Sequence, residues 1–416
     1  MRRLVLALVL LVTLIGAAPA AAATLYVAPR GDDGADCMTP ETACASFDAA
    51  YRAADLGDTV EVAGGEYPYQ PIWEMEGRTE DRDRPDVTFR PKDGETVTLR
   101  CWDDGSNCIG VEAHHVTVEG MRTADLRALG GLERQGGVCI CRGSFDVTFR
   151  DIDAGYLYIA GDSARVLGGD FGPIAEFVSK IEYGDDGPSR DILIDGARFH
   201  DHRMFESHAE CIAAYSGINV TIRDNRFDNC EVFSIFLAPG ANDVARNYTI
   251  ENNVFQNSAA VPMSAHIKTK AGPGANCSGL TVRFNTFLDD NVISECRGKD
   301  IRWTSNVFEL GGCGLVGRFD HNVWLDGPAN CGADTNVVAT DLGLKADGRP
   351  APDSPVLASG DPDSAPLADI AGGLRAFGVA PDAGAFEDNS ESTLPVVGWL
   401  LTRAYLGATP AGDPAT

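Results

Sequence analysis

VTIRDNRF (220–227) returns as YTIENNVF (248–255), LTVRFNTF (280–287), IRWTSNVF (301–308) and GRFDHNVW (317–324). Each copy alternates apolar and polar residues, the period of a strand with one buried face. Each also places an asparagine two residues before an aromatic: Asn225, Asn253, Asn285, Asn306 and Asn322. Looser copies run upstream as VTFR at Val87, VTLR at Val97, VTVEGM at Val116, VTFRDI at Val147 and ILIDGARF at Ile192. Short second strands (CIAAYS, SIFLAP, HIKTK) precede most of the later copies, with glycine, asparagine and aspartate at the turns between. Few helical stretches interrupt the series, so alternating βα units do not fit. One small unit stacked on copies of itself is a solenoid. The asparagine suits a tight corner, because it tolerates the left-handed conformation. Stacked asparagines can also hydrogen-bond from rung to rung. The repeat predicts an all-β fold, a parallel β-helix with an apolar interior.

The ends agree with that reading. SFDAAYRAADLGDT (46–59) is the one clear amphipathic helix, with Ser46 placed as N-cap and Gly57 near the C-cap. It stands just before the strand series, where a solenoid needs its first rung covered. The stretch 346–387 is rich in Pro, Gly and Asp and breaks the period, which predicts a segment wrapping the outside or capping the far end. Residues 388–416 form a tail, read as a capping helix or a disordered extension. At the other end Arg2 and Arg3 precede LVLALVLLVTLIG and a small-residue stretch ending near Ala23. That order is a secretory signal peptide over 1–23, too short in its apolar run to span a membrane. The repeat domain is thus expected over 24–345, in a secreted, extracellular protein.

The chain carries 34 Lys and Arg against 61 Asp and Glu, a net charge of −27. Nucleic acid and anionic lipid both require basic patches, so neither is expected as a partner. Twelve cysteines in a chain bound for an oxidising compartment predict disulfides. Cys37 with Cys44 and Cys101 with Cys108 read as short closed loops. Cys211 with Cys230, Cys277 with Cys296 and Cys313 with Cys331 have similar spans. Cys139 and Cys141, in an extended strand, stand too far apart for easy mutual bonding. A Cys108–Cys139 bridge, leaving Cys101 for Cys141, is the alternative.

LYVAPRGDDGADC, continuing through PETACASFDAAYRAADLGDTVEVAGGEY, resembles the N-terminal region of secreted right-handed parallel β-helix proteins of the pectate-lyase-like superfamily. The tail DGRPAPDSPVLASGDP to DAGAFE resembles that of many bacterial β-helix surface proteins. The resemblance covers most of 24–387 and implies a monomeric right-handed parallel β-helix acting on or binding an extracellular polysaccharide. Its motifs specify scaffold rather than chemistry. The superfamily holds lyases, hydrolases, epimerases and adhesins. The chain lacks the paired-aspartate, Gly-His-Gly and Arg-x-Lys pattern of polygalacturonases, and no pectate-lyase calcium aspartates can be identified.

The residues offer their own candidates. Among seven histidines, His200, His202 and His208 fall close together with Asp201, Glu206 and Glu210. In AHIKTKAG, His266, Lys268 and Lys270 alternate, which predicts one shared strand face, with Phe236 joining it from the rung before. A lyase needs a cation for a uronate carboxylate and a base for the neighbouring proton. His208, Glu210, Lys268 and Lys270 are the expected catalytic set, with His202, His266 and Phe236 binding substrate. Carboxylates could instead hold Ca²⁺. The alternative is a glycoside hydrolase using Glu210 with Glu206 or Asp201, or Asp289 with Asp290. A third reading is a non-catalytic glycan-binding or adhesion protein.

Overall fold

The computed structural model describes residues 22–388, apart from 79–83, 103–106, 130–131, 176, 205–209, 240–243, 258–263, 271–276, 297, 312–315, 328–332 and 376–378. Residues 1–21 of the leader, the tail beyond Asp388, His208, Glu206, Cys313 and Cys331 lie outside the described residues. Three long parallel sheets of 12, 13 and 9 strands are built from the chain between Thr24 and Ala339. One turn passes through Gly217–Arg223 in the first sheet, Arg226–Cys230 in the second and Phe233–Leu237 in the third. Each strand then pairs with its counterpart a turn later, as Val220 with Tyr248, Phe227 with Phe255 and Ile235 with Ile267. This is a parallel β-helix.

Period-two alternation points Val220, Ile222, Phe227, Ile235 and Leu237 into the interior, all buried. Because every turn repeats the pattern, like side chains stack. Phe171, Phe199, Phe227, Phe255, Phe287, Phe308 and Trp324 form one column, with ring centroids 4.7–5.3 Å apart. The repeat asparagines form a second column at the corner between the first and second sheets. The Oδ1 of Asn253 accepts from the main-chain N and the Nδ2 of Asn225, both at 3.0 Å. The same pattern links Asn253 to Asn285, Asn285 to Asn306 and Asn306 to Asn322. Asn336 extends it one rung further. The expected left-handed residue is not the ladder asparagine but the one before it. Asp224, Asn252, Phe284, Ser305 and His321 have φ between 52° and 58°. They make the bend, which frees each asparagine to point inward and satisfy buried main-chain groups.

The helix is shorter than its sequence pattern. It spans Phe47–Ala53, with the Ser46 side chain accepting from Ala49 N, and Ala54 is already extended. Asp58 holds the exit by accepting from Asp55 N and Ala23 N, and the strand Thr59–Val62 follows at once. Phe47 stacks on Phe89 at 5.1 Å, so the helix does cover the first rungs. At the far end the described residues after Ala339 form no strand. Arg375 is buried there, bonded to Glu387, the Asn252 side chain and the Gly384 carbonyl. Gly384 N and Ala385 N bond to Ser305 O and Thr286 Oγ1. This segment therefore runs along the outside of the corner between the first two sheets.

Five disulfides join described cysteines: Cys37–Cys44, Cys101–Cys108, Cys139–Cys141, Cys211–Cys230 and Cys277–Cys296. The Cys139–Cys141 pair corrects the expectation that these residues stand too far apart. The strand Gly137–Ile140 ends before Cys141 and the chain turns, which brings the two Cα atoms to 5.1 Å. Cys211–Cys230 closes almost one full turn and is worth about 3 kcal/mol for a loop of that size.

A charge ladder runs beside the asparagine corner. Asp195, Arg223, Glu251 and Arg283 occupy one register column, and each arginine bonds an acid of the preceding rung. Asp224 borders this column, with its Oδ1 buried and lacking a hydrogen-bond partner. Burial first, then the Asp195 charge, push its carboxyl well above the usual range. A carboxyl held above its unfolded value of 3.8 costs nothing below that pH, and its cost grows as pH rises through the folded value. Asp224→Asn should therefore raise the denaturation midpoint at neutral pH, with the gain shrinking toward pH 3.8. A gain of the same size at both pH values would refute the assignment.

Candidate functional site

The connections divide the surface unequally. Arg223 ends one strand and Arg226 begins the next, and this two-residue corner between the first and second sheets recurs at Glu251/Val254, Arg283/Thr286 and Thr304/Val307. The third sheet is bordered by longer stretches: Arg203 to Glu210, Gln256 to Ala265, Thr269 to Thr281. Variable connections around a rigid sheet are where function concentrates. The outer face of the third sheet is therefore the candidate site.

Its composition follows from register. Tyr158, Lys180, Ala213, Phe236, Lys268 and Ile293 sit side by side on successive strands, facing outward between the buried Ile159, Ile181, Ala214, Leu237 and Thr269 positions. At about 4.8 Å per strand, Lys180 and Lys268 stand about 14 Å apart with Ala213 and Phe236 between them. Lys180 lies 3.9 Å from Glu182 and over the Tyr215 ring at 5.9 Å. Lys268 bonds Glu295 at 2.7 Å and keeps only 16% of its side-chain surface exposed. Phe236 packs on Phe233 at 5.0 Å, and Tyr156 stacks on Phe177 at 5.3 Å. Toward the N-terminal end Trp73 is 43% exposed and Trp102 73% exposed. The face thus offers aromatic platforms interrupted by cations and acids. Tyr215 is raised above its ordinary value, by burial first and then by the charges of Glu210 and Glu182.

Glu210 begins the strand Glu210–Ala214 and is buried, in register with Phe233 of the next rung. Lys270 is exposed beyond the strand Ala265–Thr269. Two histidines are placed differently from the expectation. His266 does not share a face with Lys268: the alternation breaks where the strand leaves the corner. Its ring turns inward to within 5.6 Å of Phe255, and its Nδ1 lies 3.2 Å from Ser234 Oγ. His202 has no exposed surface, and its ring nitrogens face the carbonyls of Glu210 and Phe171 at 3.0 and 3.3 Å. Both are corrected from substrate-binding candidates to side chains inside the wall. Of the hydrolase carboxylates, Asp201 is engaged by His200 and by Asn229 at the exit of the second sheet. Asp289 occupies a left-handed turn position, φ 57°.

Lys180, Glu182 and Tyr215 were missed in the sequence. The signal was present in SKIEY, where Lys180 and Glu182 flank the buried Ile181, but nothing in a single segment shows which sheet it joins. Among the described residues, the two groups of side chains able to share a metal ion, Asp86/His115/Asp146 and Asp320/His321/Asp361, contain no residue of the third sheet. The calcium expectation therefore gains no ligand set on this face.

No protein family and no curated protein sequence matches the chain. Among solved structures it is similar to XylC in complex with xylose, at 10% identity over 73% of this chain and 75% of that one, TM-score 0.48. It is also similar to an alginate lyase from Paenibacillus sp. str. FPU-7, at 12% identity, 66% and 99% coverage and TM-score 0.43. Pectate lyase Pel9A matches at 16% identity, 88% and 96% coverage and TM-score 0.40. The three parallel sheets themselves decide the architecture. The fold is a parallel β-helix.

Proposed function

We propose that this is a secreted carbohydrate-active protein that lays an extended polysaccharide along the outer face of its third sheet and cleaves it by β-elimination. The observation that carries this reading is the row Lys180, Ala213, Phe236, Lys268, which sets cations beside an aromatic surface on the one face bordered by long connections. In a chain of net charge −27, two lysines on one such face favour an anionic ligand. Lys268, held by Glu295, is placed to neutralise a uronate carboxylate. The base then falls to His208 or Lys270, with the Glu182–Tyr215 pair orienting the sugar and the buried Glu210 acting from behind Tyr215. The alternative is a hydrolase whose carboxylate pair would be Glu182 and Glu210, whose charges both reach Tyr215. In either case Phe236 supplies a platform and the polymer is the partner.

The test incubates uronate-containing and neutral polysaccharides with the protein and follows both unsaturated-product absorbance and new reducing ends. Lys268→Met should lower the rate of absorbance increase at least about 100-fold, the range of a lost electrostatic group at a reacting centre. Reducing ends without absorbance, undiminished in Lys268→Met, would remove the lyase reading and leave the hydrolase. Binding without cleavage of any polymer would leave an adhesion or lectin-like role.

A further inference from the structure

Three early copies of the repeat share a feature that the fold makes meaningful. Asp86 precedes VTFR, His115 precedes VTVE and Asp146 precedes VTFR. Val87, Val116 and Val147 pair with one another on adjacent strands of the first sheet. The three preceding residues therefore stack on successive rungs, far from the third sheet. His115 and Asp146 hold left-handed backbones, φ 55° and 56°, which lift both side chains off the strand alternation.

Their donor atoms converge. His115 Nδ1 lies 3.1 Å from Asp146 Oδ2 and 4.0 Å from Asp86 Oδ1, and one donor atom from each of the three lies within 4.8 Å of the others. Donors on a tetrahedral ion at about 2.0–2.1 Å are about 3.4 Å apart. The observed separations bracket that value. The remaining carboxylate oxygens are held from outside: Thr117 Oγ1 donates to Asp86 Oδ2 at 2.6 Å, and Arg165 Nη2 donates to Asp146 Oδ1 at 2.6 Å. Such partners fix the orientation of metal ligands. Phe145 meets the imidazole edge-on at 6.0 Å. The His115 side chain is fully buried, whereas Asp86 keeps 17% of its surface exposed, so the cluster reaches solvent at Asp86.

We propose that Asp86, His115 and Asp146 form a binding site for one borderline divalent transition-metal ion, best fitted by zinc, that clasps three successive rungs of the first sheet. One imidazole with two carboxylates suits zinc or manganese, whereas calcium takes oxygen ligands. The fourth position opens on the Asp86 side, where water completes the coordination. A competing account of the same atoms is a purely ionic and hydrogen-bonded network of His115, the two carboxylates and Arg165.

The full-length secreted protein, stripped with a chelator, is titrated with Zn²⁺ and separately with Co²⁺. We expect one saturating equivalent at this site, visible cobalt absorption of a low-symmetry N/O site and a higher melting temperature. Asp86→Asn and His115→Asn should each weaken binding at least about tenfold and abolish the cobalt absorption. Asparagine keeps the left-handed backbone accessible at position 115, and Asp86→Asn alters only the partly exposed ligand, so the test survives if one variant misfolds. Asp320→Asn, in the half-exposed second cluster, should leave the cobalt signal intact. No saturable binding by the parent protein, or binding and absorption retained in both ligand variants, overturns the proposal in favour of the ionic network.

Discussion

Asn253→Ala should destabilise the protein by about 3–5 kcal/mol, although it removes only a small polar side chain. Asn253 Oδ1 accepts from both the main-chain and side-chain nitrogens of Asn225, and its Nδ2 donates to the Ile222 carbonyl and to Asn285 Oδ1. Its side chain is fully buried, as are Asn225 and Asn285. Alanine leaves these groups without water to replace the lost partner, and each unsatisfied buried group costs about 1–3 kcal/mol. A solenoid has no distant contacts to share the loss, since each rung is held by its two neighbours. Urea denaturation of the variant is the measurement. Asn247→Gly is the control, because its Nδ2 donates to Asn219 Oδ1 at 3.0 Å on the exposed surface and glycine keeps its left-handed backbone, φ 56°. That bond competes with water, and its loss should cost under about 1 kcal/mol. Equal midpoints for the two variants would show that the buried ladder adds nothing beyond an exposed one.

The second large effect is an acid-dependent loss centred on His202. Its two carbonyl partners favour a charged imidazole, but complete burial outweighs them and lowers its pKa from 6.5 to about 4. The unfolded chain therefore takes up a proton at higher pH than the folded one. Stability from this residue is present above pH 6.5 and is lost as pH falls toward 4, by about 3 kcal/mol in all. Asp224 acts in the opposite sense, as does His200, whose contacts with Asp170 and Asp201 raise its pKa. The His202 contribution is isolated by comparing the parent with His202→Gln, whose amide can donate to both carbonyls without titrating. We expect the two stability-against-pH curves to diverge across that window, with the parent falling more steeply. Parallel curves would mean that His202 is not held neutral in the fold.

The chemistry of these two sites was unequally visible in the amino-acid order. The asparagine ladder was legible because its residues recur at one place in every copy, and any stacking of the copies superimposes them. His202 looked like a ligand residue because three histidines cluster locally; whether such a ring faces solvent depends on where the strand bends at the corner. His266 failed for the same reason, since period-two alternation holds along a straight strand and breaks at its end. Lys180 could not be tied to Lys268 because turn lengths differ from rung to rung: Ala213 follows Lys180 by a different interval than Phe236 follows Ala213.

The sequence by itself determined the parallel β-helix, its asparagine corner, the helix start at Ser46 and the short Cys37–Cys44 loop. These are local patterns, or patterns that repeat at each turn, so periodicity alone superimposes them. Only the tertiary structure decided which face carries the long connections, which side chains share the third sheet, how Cys139 reaches Cys141, and that Asp86, His115 and Asp146 meet. Those are relations between rungs, fixed by register and by the irregular length of each turn. A single strand carries no information on how far away in sequence its neighbour lies.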